Sequence, residues 1–431
     1  MPSFIDDRSR IRLVTQCGAS IGRADSSVKF PTLGPLIVIT SAECIDHRLA
    51  RRGEQTPTSV AIIAPGRPPL ASSALSREIQ TIGARLNTMG VRRRDRIGFD
   101  EANFDELAHA RRVARYHNTQ HFEFVVKPDA LEVLPKLAWQ FDEPFADSSA
   151  LPTYFVSKIT REHVTVALSG DGGDENFVGY ARYARALALH DRLDRFPGML
   201  GRSLFRLAGW LLPETLRGHG YLEMLGADPV ERYFRMMAFQ RSDGLRRLLS
   251  REAQTHVAPE VAPGLFRELA GASGAPDYAS TMQYLDVRCY LPEDILTKVD
   301  KTSMLVSLES RVPLLDHVLM EFVATMPTRL KFENGAGKAM LKRAMADDLP
   351  PETLTRSKMG FGVPLAGWFR RELADYTRDL LESRRTRERG LLDPTGVSTL
   401  LAEHQSGGRD RSSQIWALLC LEEWARRWLD R

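Results

Sequence analysis

A short β-branched run that ends abruptly in an acidic glycine turn most constrains how this chain can fold. Residues 164–168 read VTVAL, which is typical of a strand, and residues 169–175 read SGDGGDE. Open α/β sheets bind ligands outside the carboxyl ends of their strands, where this turn would lie. Its glycines let a nucleotide approach the backbone closely, and its carboxylates need a cation between them. Magnesium with ATP phosphates is the natural partner, and an acidic surface turn is the alternative.

The pattern before and after this turn alternates strands with helices. Strands are predicted at 60–64, 95–99, 123–126 and 164–168, and helices at 74–89, 104–116, 128–141 and 151–159. Such alternation predicts an α/β fold with a doubly wound parallel sheet. From about Arg185 onward we expect no strands, only helices to the C-terminus. The predicted domains are an irregular segment 1–44, a β-α-β fragment 45–97, an α/β nucleotide-binding part 97–184 and a mainly helical remainder 185–431.

Composition excludes several classes of protein. Net charge is +4 from 59 basic and 55 acidic residues, which gives no reason to expect nucleic acid or an acidic membrane as partner. The four cysteines are far apart and form no C-x-x-C pair, so neither a disulfide scaffold nor a zinc site is implied. The opening MPSFIDDRSR carries acids and no apolar run, unlike a signal peptide, and the apolar stretches are only strand-length. We therefore expect a cytoplasmic protein.

The acidic turn and several other stretches resemble the synthetase domain of glutamine-dependent asparagine synthetases. The family writes the turn as LSGDGGDE-F-GGY or LSGEGSDE-F-GGY, and residues 167–183 here read ALSGDGGDENFVGYARY. Further similar stretches follow the family order: IGFDEANFDELAHARRVARYHNTQHFEFVV, WQFDEPFADSSALPTY, YLPEDILTKVDKTSMLVSLESRVPLLDH and RSKMGFGVPLAGWF. The resemblance covers about residues 97–431. It implies an adenine nucleotide alpha-hydrolase-like fold. It also implies an enzyme that converts aspartate and ATP to aspartyl-AMP, which ammonia then attacks.

The resemblance also implies an ATP site. Ile97 would line the adenine slot, and Ser169, Gly170 and Gly172 would contact the nucleotide. Asp300, in the stretch that the family places over the site, is a further ATP-binding candidate.

Three residues are implied to act on the phosphates and the reacting centre. Asp174 resembles the magnesium ligand, and Asp171 occupies the acidic position beside the reacting centre, where it could handle the protons of the amine. Lys358, in RSKMGFG, resembles the lysine that stabilises charge on the leaving pyrophosphate. A solvated loop lysine is the plain alternative for Lys358.

The amino-acid pocket is the least specific part of this reading. Its candidates by resemblance are Asp147, Ser148, Ser149 and Asp294. Asp294 could instead belong to a surface helix and pair with Lys298 at i,i+4, and Lys301 is open to the same two readings. Arg311 is either a clamp for a substrate carboxylate or part of a structural ion pair, and we favour the ion pair.

The sequence departs from the family in two places. Position 2 is Pro2, where glutamine-dependent members have the cysteine nucleophile, so we expect no glutaminase activity in this chain. The Ser-Gly-Gly-x-Asp-Ser pyrophosphate loop is also not found. PGRPPLASSAL stands at its place, where Pro68 and Pro69 have no N–H to offer a phosphate and Ala71 replaces the magnesium aspartate. Residues 46–97 instead resemble the opening of an acyl-adenylating ligase.

Three functions therefore stay open on the sequence. The first is an asparagine-synthetase-type ligase that is impaired by loss of the loop. The second is a related enzyme that forms an amide or lactam in secondary metabolism. The third is a non-catalytic remnant that binds a partner. For the first, the expected cofactors are ATP and Mg²⁺, and the expected substrates are aspartate or a similar carboxylate and ammonia. A separate glutaminase subunit and a homodimer are left open as partners.

Overall fold

The computed structural model describes residues 60–62, 70–71, 96–99, 107–119, 121, 123–126, 130–194, 199–211, 219–240, 242–258, 261–356 and 362–430. All of them belong to one unit of the chain, residues 43–431. The predicted helix at 74–89 lies outside the described residues, and the division into four domains stays a prediction.

The described strands are short and form three pairs. They are β1 (Val60–Ile62), β2 (Leu70–Ala71), β3 (Arg96–Phe99), β4 (Glu123–Val126), β5 (Val166–Leu168) and β6 (Glu309–Arg311). β1 pairs antiparallel with β2, whereas β3 pairs in parallel with β4, and β5 with β6. The fold is thus mixed α/β with parallel strand pairs in a mostly helical chain.

Two expectations about strands are wrong. β6 lies far beyond Arg185, after which we expected only helices. Its sequence ESR has no apolar alternation, and its place in the fold comes from pairing with β5, which sequence periodicity cannot show. Leu70, which we expected in a loop, instead begins β2 beside β1.

Helices make up most of the described chain. The first group comprises α1 (Leu107–Tyr116), α2 (Ala130–Phe141), α3 (Ala150–His163), α4 (Gly173–Asn176), α5 (Ala181–Leu193), α6 (Met199–Leu211), α7 (His219–Gly226), α8 (Pro229–Met237), α9 (Ser242–Leu248), α10 (Arg251–His256) and α11 (Val261–Ala272). The second group comprises α12 (Tyr278–Leu285), α13 (Thr297–Met304), α14 (His317–Ala324), α15 (Thr328–Lys331), α16 (Ala339–Ala344), α17 (Pro351–Thr355), α18 (Leu365–Arg370), α19 (Ala374–Leu381), α20 (Arg384–Arg389), α21 (Pro394–Gln405) and α22 (Ser412–Trp428). No helix among these described segments is long and apolar enough to cross a membrane.

A π-helix joins α12 to α13 without a break. It spans Asp286–Leu296 and contains Pro292, which has no N–H to donate. A π-helix uses i→i+5 hydrogen bonds and is frequent at functional sites. The side chains along this segment therefore do not follow the α-helical spacing that sequence reasoning assumes.

Two apolar clusters hold the segments that carry the polar site. In the first, α2 and α3 pack against α18, α19, α21 and α22, with Leu151, Trp416 and Leu419 fully buried. In the second, α5, α8, α11 and α12 pack together around Tyr183 and Met282. The first cluster fixes the loop between α2 and α3, and the second fixes the start of the π-helix.

Candidate active site

The acidic glycine turn leaves the carboxyl end of β5, as the sequence predicts. β5 pairs in parallel with β6, and the Ser169 N–H extends this ladder by donating to the Arg311 carbonyl over 2.8 Å. The turn therefore lies at the kind of sheet edge where α/β proteins bind ligands.

Hydrogen bonds between Ser169 and Asp171 stabilise the turn, and its backbone conformation requires a glycine at position 172. The Ser169 hydroxyl donates to the Asp171 carboxylate, and the Asp171 N–H donates to the Ser169 hydroxyl oxygen over 3.3 Å. Gly172 has φ +80°, in the left-handed region, and a Cβ there would lie 2.1 Å from Leu315 Cδ2. No described residue lies within 4 Å of the Cβ position at Gly170, so the described part of the protein leaves this side of the turn open.

Side chains from distant segments fix the turn's backbone as it becomes α4. The Asn176 amide donates to the Leu314 carbonyl over 2.7 Å. The Gln283 amide donates to the carbonyls of Glu175 and Asn176 over 2.8 and 2.7 Å. A backbone fixed by α12 on one side and by the 3-10 helix Pro313–Leu315 on the other is well suited to hold a preorganised site.

An ion pair joins the turn to a lysine that sequence reasoning missed. Lys338 Nζ lies 3.0 Å from Asp174 Oδ1, and both side chains are partly exposed, at 28% and 14%. The Lys338 N–H also donates to the Phe177 carbonyl over 2.7 Å. Glycines permit this approach, because a Cβ at Gly337 would lie 1.8 Å from the Val178 carbonyl oxygen and one at Gly179 2.2 Å from Asp174 Oδ1.

A signal for Lys338 was present in the sequence but weak. Residues 333–338 read ENGAGK and precede a helix, and Lys338 itself has φ +60°, which is unusual for a residue other than glycine. A lone lysine after a glycine-rich turn is ordinary, and only the fold brings it to the carboxylate of Asp174.

The residues at the turn fit magnesium only as an ion that arrives with phosphates. Within the described ranges, no group of three or more His, Cys, Asp or Glu side chains is arranged to hold a metal ion. Mg²⁺ is commonly held by one or two carboxylates together with phosphate oxygens, and the single carboxylate of Asp174 is within that number.

A second polar cluster lies in the loop before α3. Asp147 accepts hydrogen bonds from the Ser149 N–H over 2.9 Å and from the Ser149 hydroxyl over 2.6 Å. Lys298, which is only 7% exposed on α13, donates to Asp147 over 2.7 Å and to the Ser149 hydroxyl over 2.8 Å. Burial alone would raise the pKa of Asp147, but the Lys298 ammonium and these hydrogen bonds outweigh it and hold the pKa below its usual range.

Asp294 faces this cluster from the π-helix. Its Oδ1 is buried and has no hydrogen-bond partner among the described residues. Burial and the neighbouring carboxylate of Asp147 raise the pKa of Asp294 to about 7, although Lys298 acts in the opposite direction. The predicted i,i+4 pair with Lys298 does not form, because Lys298 is bonded to Asp147 and the segment around Asp294 is π-helical.

A partly buried arginine links the turn to the π-helix. The Arg182 guanidinium lies 3.7 Å from the ring centre of Tyr180 and 4.5 Å from that of Tyr290, and it donates to Asp286 over 2.7 Å. Tyr180 in turn donates to the buried Glu175 of the turn over 2.5 Å.

Asp286 is the buried anchor of this link. It accepts hydrogen bonds from the hydroxyls of Tyr183 and Tyr233 as well as from Arg182. Burial raises the pKa of Asp286 even though these partners favour the charged form. Helices α5 and α8 and the π-helix therefore meet at one charged group.

The remaining predicted residues lie as follows. Ile97 is in β3, paired with Phe124, and its side chain is outside the described part. Lys358 lies outside the described residues, so its role stays a prediction. Ser148 is half-buried beside the Asp147 cluster, and Asp300 is exposed on α13.

Two further predicted residues lie in ion pairs. Lys301 lies 3.4 Å from Asp142, and Arg311 lies 2.7 Å from Glu309, as the structural reading of Arg311 expects. The structure thus groups Ser169, Asp171, Gly172 and Asp174 at the turn, and Asp147, Ser149 and Asp294 in the second cluster.

The sequence profile of one protein family, described as asparagine synthase, matches residues 84–426. That match begins at residue 84, somewhat before the boundary at Ile97 that the sequence suggested.

Three relatives show the range of similarity. Asparagine synthetase (glutamine-hydrolysing) 1 of Bacillus subtilis is 34% identical over 330 residues, which cover 76% of this chain and 51% of the relative. A putative asparagine synthetase (glutamine-hydrolysing) 2 of Methanocaldococcus jannaschii is 42% identical over 132 residues, 30% of this chain and 24% of the relative. The amidase chyE of Penicillium rubens is 24% identical over 304 residues, 63% of this chain and 43% of the relative. The chain thus spans about half the length, or less, of these relatives.

Proposed function

The chain belongs to the asparagine synthase family, and from this premise we propose that it is an ATP-dependent amide ligase. The proposed reaction joins a carboxylic acid to ammonia through an acyl-adenylate, and aspartate is the acid that the family resemblance implies. The observation that carries the proposal is the ion pair between Asp174 and Lys338 beside the left-handed Gly172 turn.

The proposed chemistry has two steps. A carboxylate oxygen of the acid attacks the α-phosphorus of ATP, the bond from that phosphorus to the bridging oxygen breaks, and pyrophosphate leaves. Ammonia then attacks the carbonyl carbon of the acyl-adenylate, AMP leaves with the bonding pair, and the nitrogen loses a proton. The site must therefore stabilise negative charge on pyrophosphate and accept one proton.

The residues of the turn match these demands. In our proposal Lys338 stabilises the charge that develops on pyrophosphate, because its ammonium already lies 3.0 Å from a carboxylate at the turn. Asp174 would hold Mg²⁺ once ATP is present, and the bound ion would supply positive charge to the phosphate oxygens. The open backbone at Gly170 lets the nucleotide approach, and Asp171 would accept the proton of the amine.

Several finer assignments belong to the same proposal. Ile97 would line the adenine slot, and Asp300 and Lys358 would face the nucleotide. We propose that the strand pairs belong to one doubly wound sheet, and that the protein works in the cytoplasm with ammonia supplied by a separate glutaminase. Because Pro68 and Pro69 replace the pyrophosphate loop, Lys338 would be the principal counter-charge and turnover would be slow.

The test is isotope exchange between ATP and pyrophosphate, with Mg²⁺ and a panel of carboxylic acids that includes aspartate. Lys338→Ala should slow exchange by about 100- to 1,000-fold while ATP affinity changes much less, because the lysine acts mainly on developing charge. Lys342→Ala, on the next turn of α16, is the matched control and should change little. If Lys342→Ala slowed ATP–pyrophosphate exchange as much as Lys338→Ala, the proposed role of Lys338 would be contradicted.

The outcome for the wild-type chain separates the rival functions. Exchange with aspartate supports the asparagine-forming reaction, and exchange only with another acid supports an amide ligase of secondary metabolism. If none of the acids in the panel supports exchange, that result favours the non-catalytic alternative.

A further inference from the structure

An exposed apolar face runs along α6. Leu204, Leu207 and Leu211 are 67%, 51% and 64% exposed. Their spacing of three and then four residues places them on one side of an α-helix. Single apolar side chains on a surface are ordinary, but a row of them on one helix face usually marks an interaction site. The proposed ligase chemistry does not use this helix, so the exposed face requires a separate explanation.

Helix α7 packs against the other side of α6 and leaves these leucines open. A Cβ at Gly209 would lie 3.3 Å from Glu223 Cγ, so this glycine faces α7 at close range. Gly209 is two residues from both Leu207 and Leu211, and two residues correspond to roughly 200° around a helix. Among the described elements, α6 packs chiefly against α7. The leucine face is therefore directed away from the main contact of its own helix.

The charged residues of α6 are all basic. Its sequence, MLGRSLFRLAGWL, contains Arg202 and Arg206 and no acidic residue, and Arg206 is exposed. The near-balance of charge over the whole chain, from which no acidic membrane was expected as partner, conceals this local excess. A helix that has leucines along one face and arginines as its only charges is typical of segments that lie in the surface of a membrane.

We propose that α6 binds the surface of an anionic lipid bilayer as an interfacial helix. Its leucines would enter the boundary between headgroups and acyl chains, and its arginines would meet the lipid phosphates. The helix has 13 residues, fewer than the about 20 that a membrane span needs, so it would lie in the surface. Tyr221 on α7 is 50% exposed and belongs to a residue type that is enriched at this boundary. The inference does not depend on the proposed ligase function.

A second copy of the chain is the alternative partner for this face, and the charges disfavour it. In a symmetric pair of α6 helices, each helix would bring arginines and no acid. Ion pairs between flanking residues, which commonly set the pairing of two helices, could not form between them. Anionic lipids supply the negative charge that a second α6 lacks.

The test is co-sedimentation of the full chain with vesicles at low ionic strength, titrated with lipid. One set of vesicles is pure phosphatidylcholine, and in the other roughly one third of the lipid is anionic phosphatidylglycerol. The wild type should bind the anionic vesicles about 5- to 30-fold more tightly, because each arginine near such a surface contributes about fivefold. High salt should weaken binding to the anionic vesicles, since it screens this attraction.

Leu204→Ser should weaken binding to the anionic vesicles by about 5- to 30-fold, because it removes apolar surface that the lipid would bury. The matched control is Leu429→Ser, which removes a leucine that is 52% exposed at the end of α22. It should bind the vesicles like the wild type. Because both leucines are largely exposed, urea unfolding should be nearly the same in the two variants, so a difference in binding reports on the surface.

Three results would overturn the inference. The first is a wild type that does not sediment with the anionic vesicles, and the second is an equal loss of binding in Leu204→Ser and Leu429→Ser. The third comes from light scattering on the free protein: a dimer that Leu204→Ser converts to a monomer would assign this face to a second copy. Vesicle binding that is lost in Leu204→Ser alone, with no change in oligomeric state, would uphold it.

Discussion

Replacing Gly172 with alanine should destabilise the protein by about 2–5 kcal/mol, from two separate costs. Gly172 has φ +80°, and an alanine held in the left-handed region costs about 1–2 kcal/mol. The new Cβ would also lie 2.1 Å from Leu315 Cδ2 and 2.6 Å from Leu315 Cγ. Overpacking of this kind costs about 1–3 kcal/mol, because Leu315 must leave its rotamer or the turn must shift.

Urea unfolding followed by circular dichroism measures the effect, and Gly170→Ala is the matched control. Gly170 lies in the same turn, has no described residue within 4 Å of the Cβ position and does not have a left-handed φ. Its substitution should therefore change the free energy of unfolding by no more than about 0.5 kcal/mol. The comparison holds composition and sequence position nearly constant.

A double variant separates the two costs. Leu315→Ala in the Gly172→Ala background should relieve the overlap with Leu315 but not the backbone strain, giving a coupling energy of about 1–3 kcal/mol. If Gly172→Ala were as stable as Gly170→Ala, the turn could not have the left-handed form described here. If the double variant showed no coupling, Leu315 could not be the neighbour that excludes a side chain.

Two further predictions concern buried carboxyl groups. The pKa of Asp294 is about 7 in the folded protein, whereas its ordinary value of 3.8 applies in the unfolded chain. Because the folded protein binds this proton more tightly, the free energy of unfolding should fall as pH rises from about 4 to about 7, by at most about 4 kcal/mol. In Asp294→Asn, thermal unfolding measured across this pH range should show a smaller fall in stability. An unchanged pH dependence would contradict the raised pKa of Asp294. Asp286→Ala leaves the partly buried Arg182 without its counter-ion and the hydroxyls of Tyr183 and Tyr233 without their acceptor, and it should cost about 3–5 kcal/mol in urea unfolding. Asp191→Ala, at an exposed position, should change stability little. A similar loss in the two aspartate variants would show that the Asp286 link is not structural.

The sequence was most informative where local chemistry and tertiary structure agree. VTVAL predicted a strand because its residues are β-branched, and the structure has β5 at Val166–Leu168. The glycines and carboxylates that follow predicted a ligand turn at the end of that strand, and Gly172 does adopt a conformation that favours glycine. α2 and α3 were likewise predicted from apolar spacing, to within a few residues at their ends.

Features that depend on distant partners could not be read in this way. β6 has only three residues, and its strand conformation depends on β5. Lys338 reaches Asp174 only after two glycine-containing segments have packed together. The pairing of Asp294 with Lys298 was a reasonable expectation for an α-helix, but the π-helix and the competing carboxylate of Asp147 changed it.

The parallel pairing of β5 with β6 has a consequence for how the protein is made. The side chain of Asn176, just after β5, bonds to a carbonyl 138 residues further along the chain. At about 5–20 residues per second, a ribosome needs roughly 7–30 s to synthesise that intervening stretch. For this interval β5 has no β6 partner, and its exposed edge is open to wrong pairing. Yield of native protein should therefore depend on chaperones and on growth temperature more than its final stability would suggest.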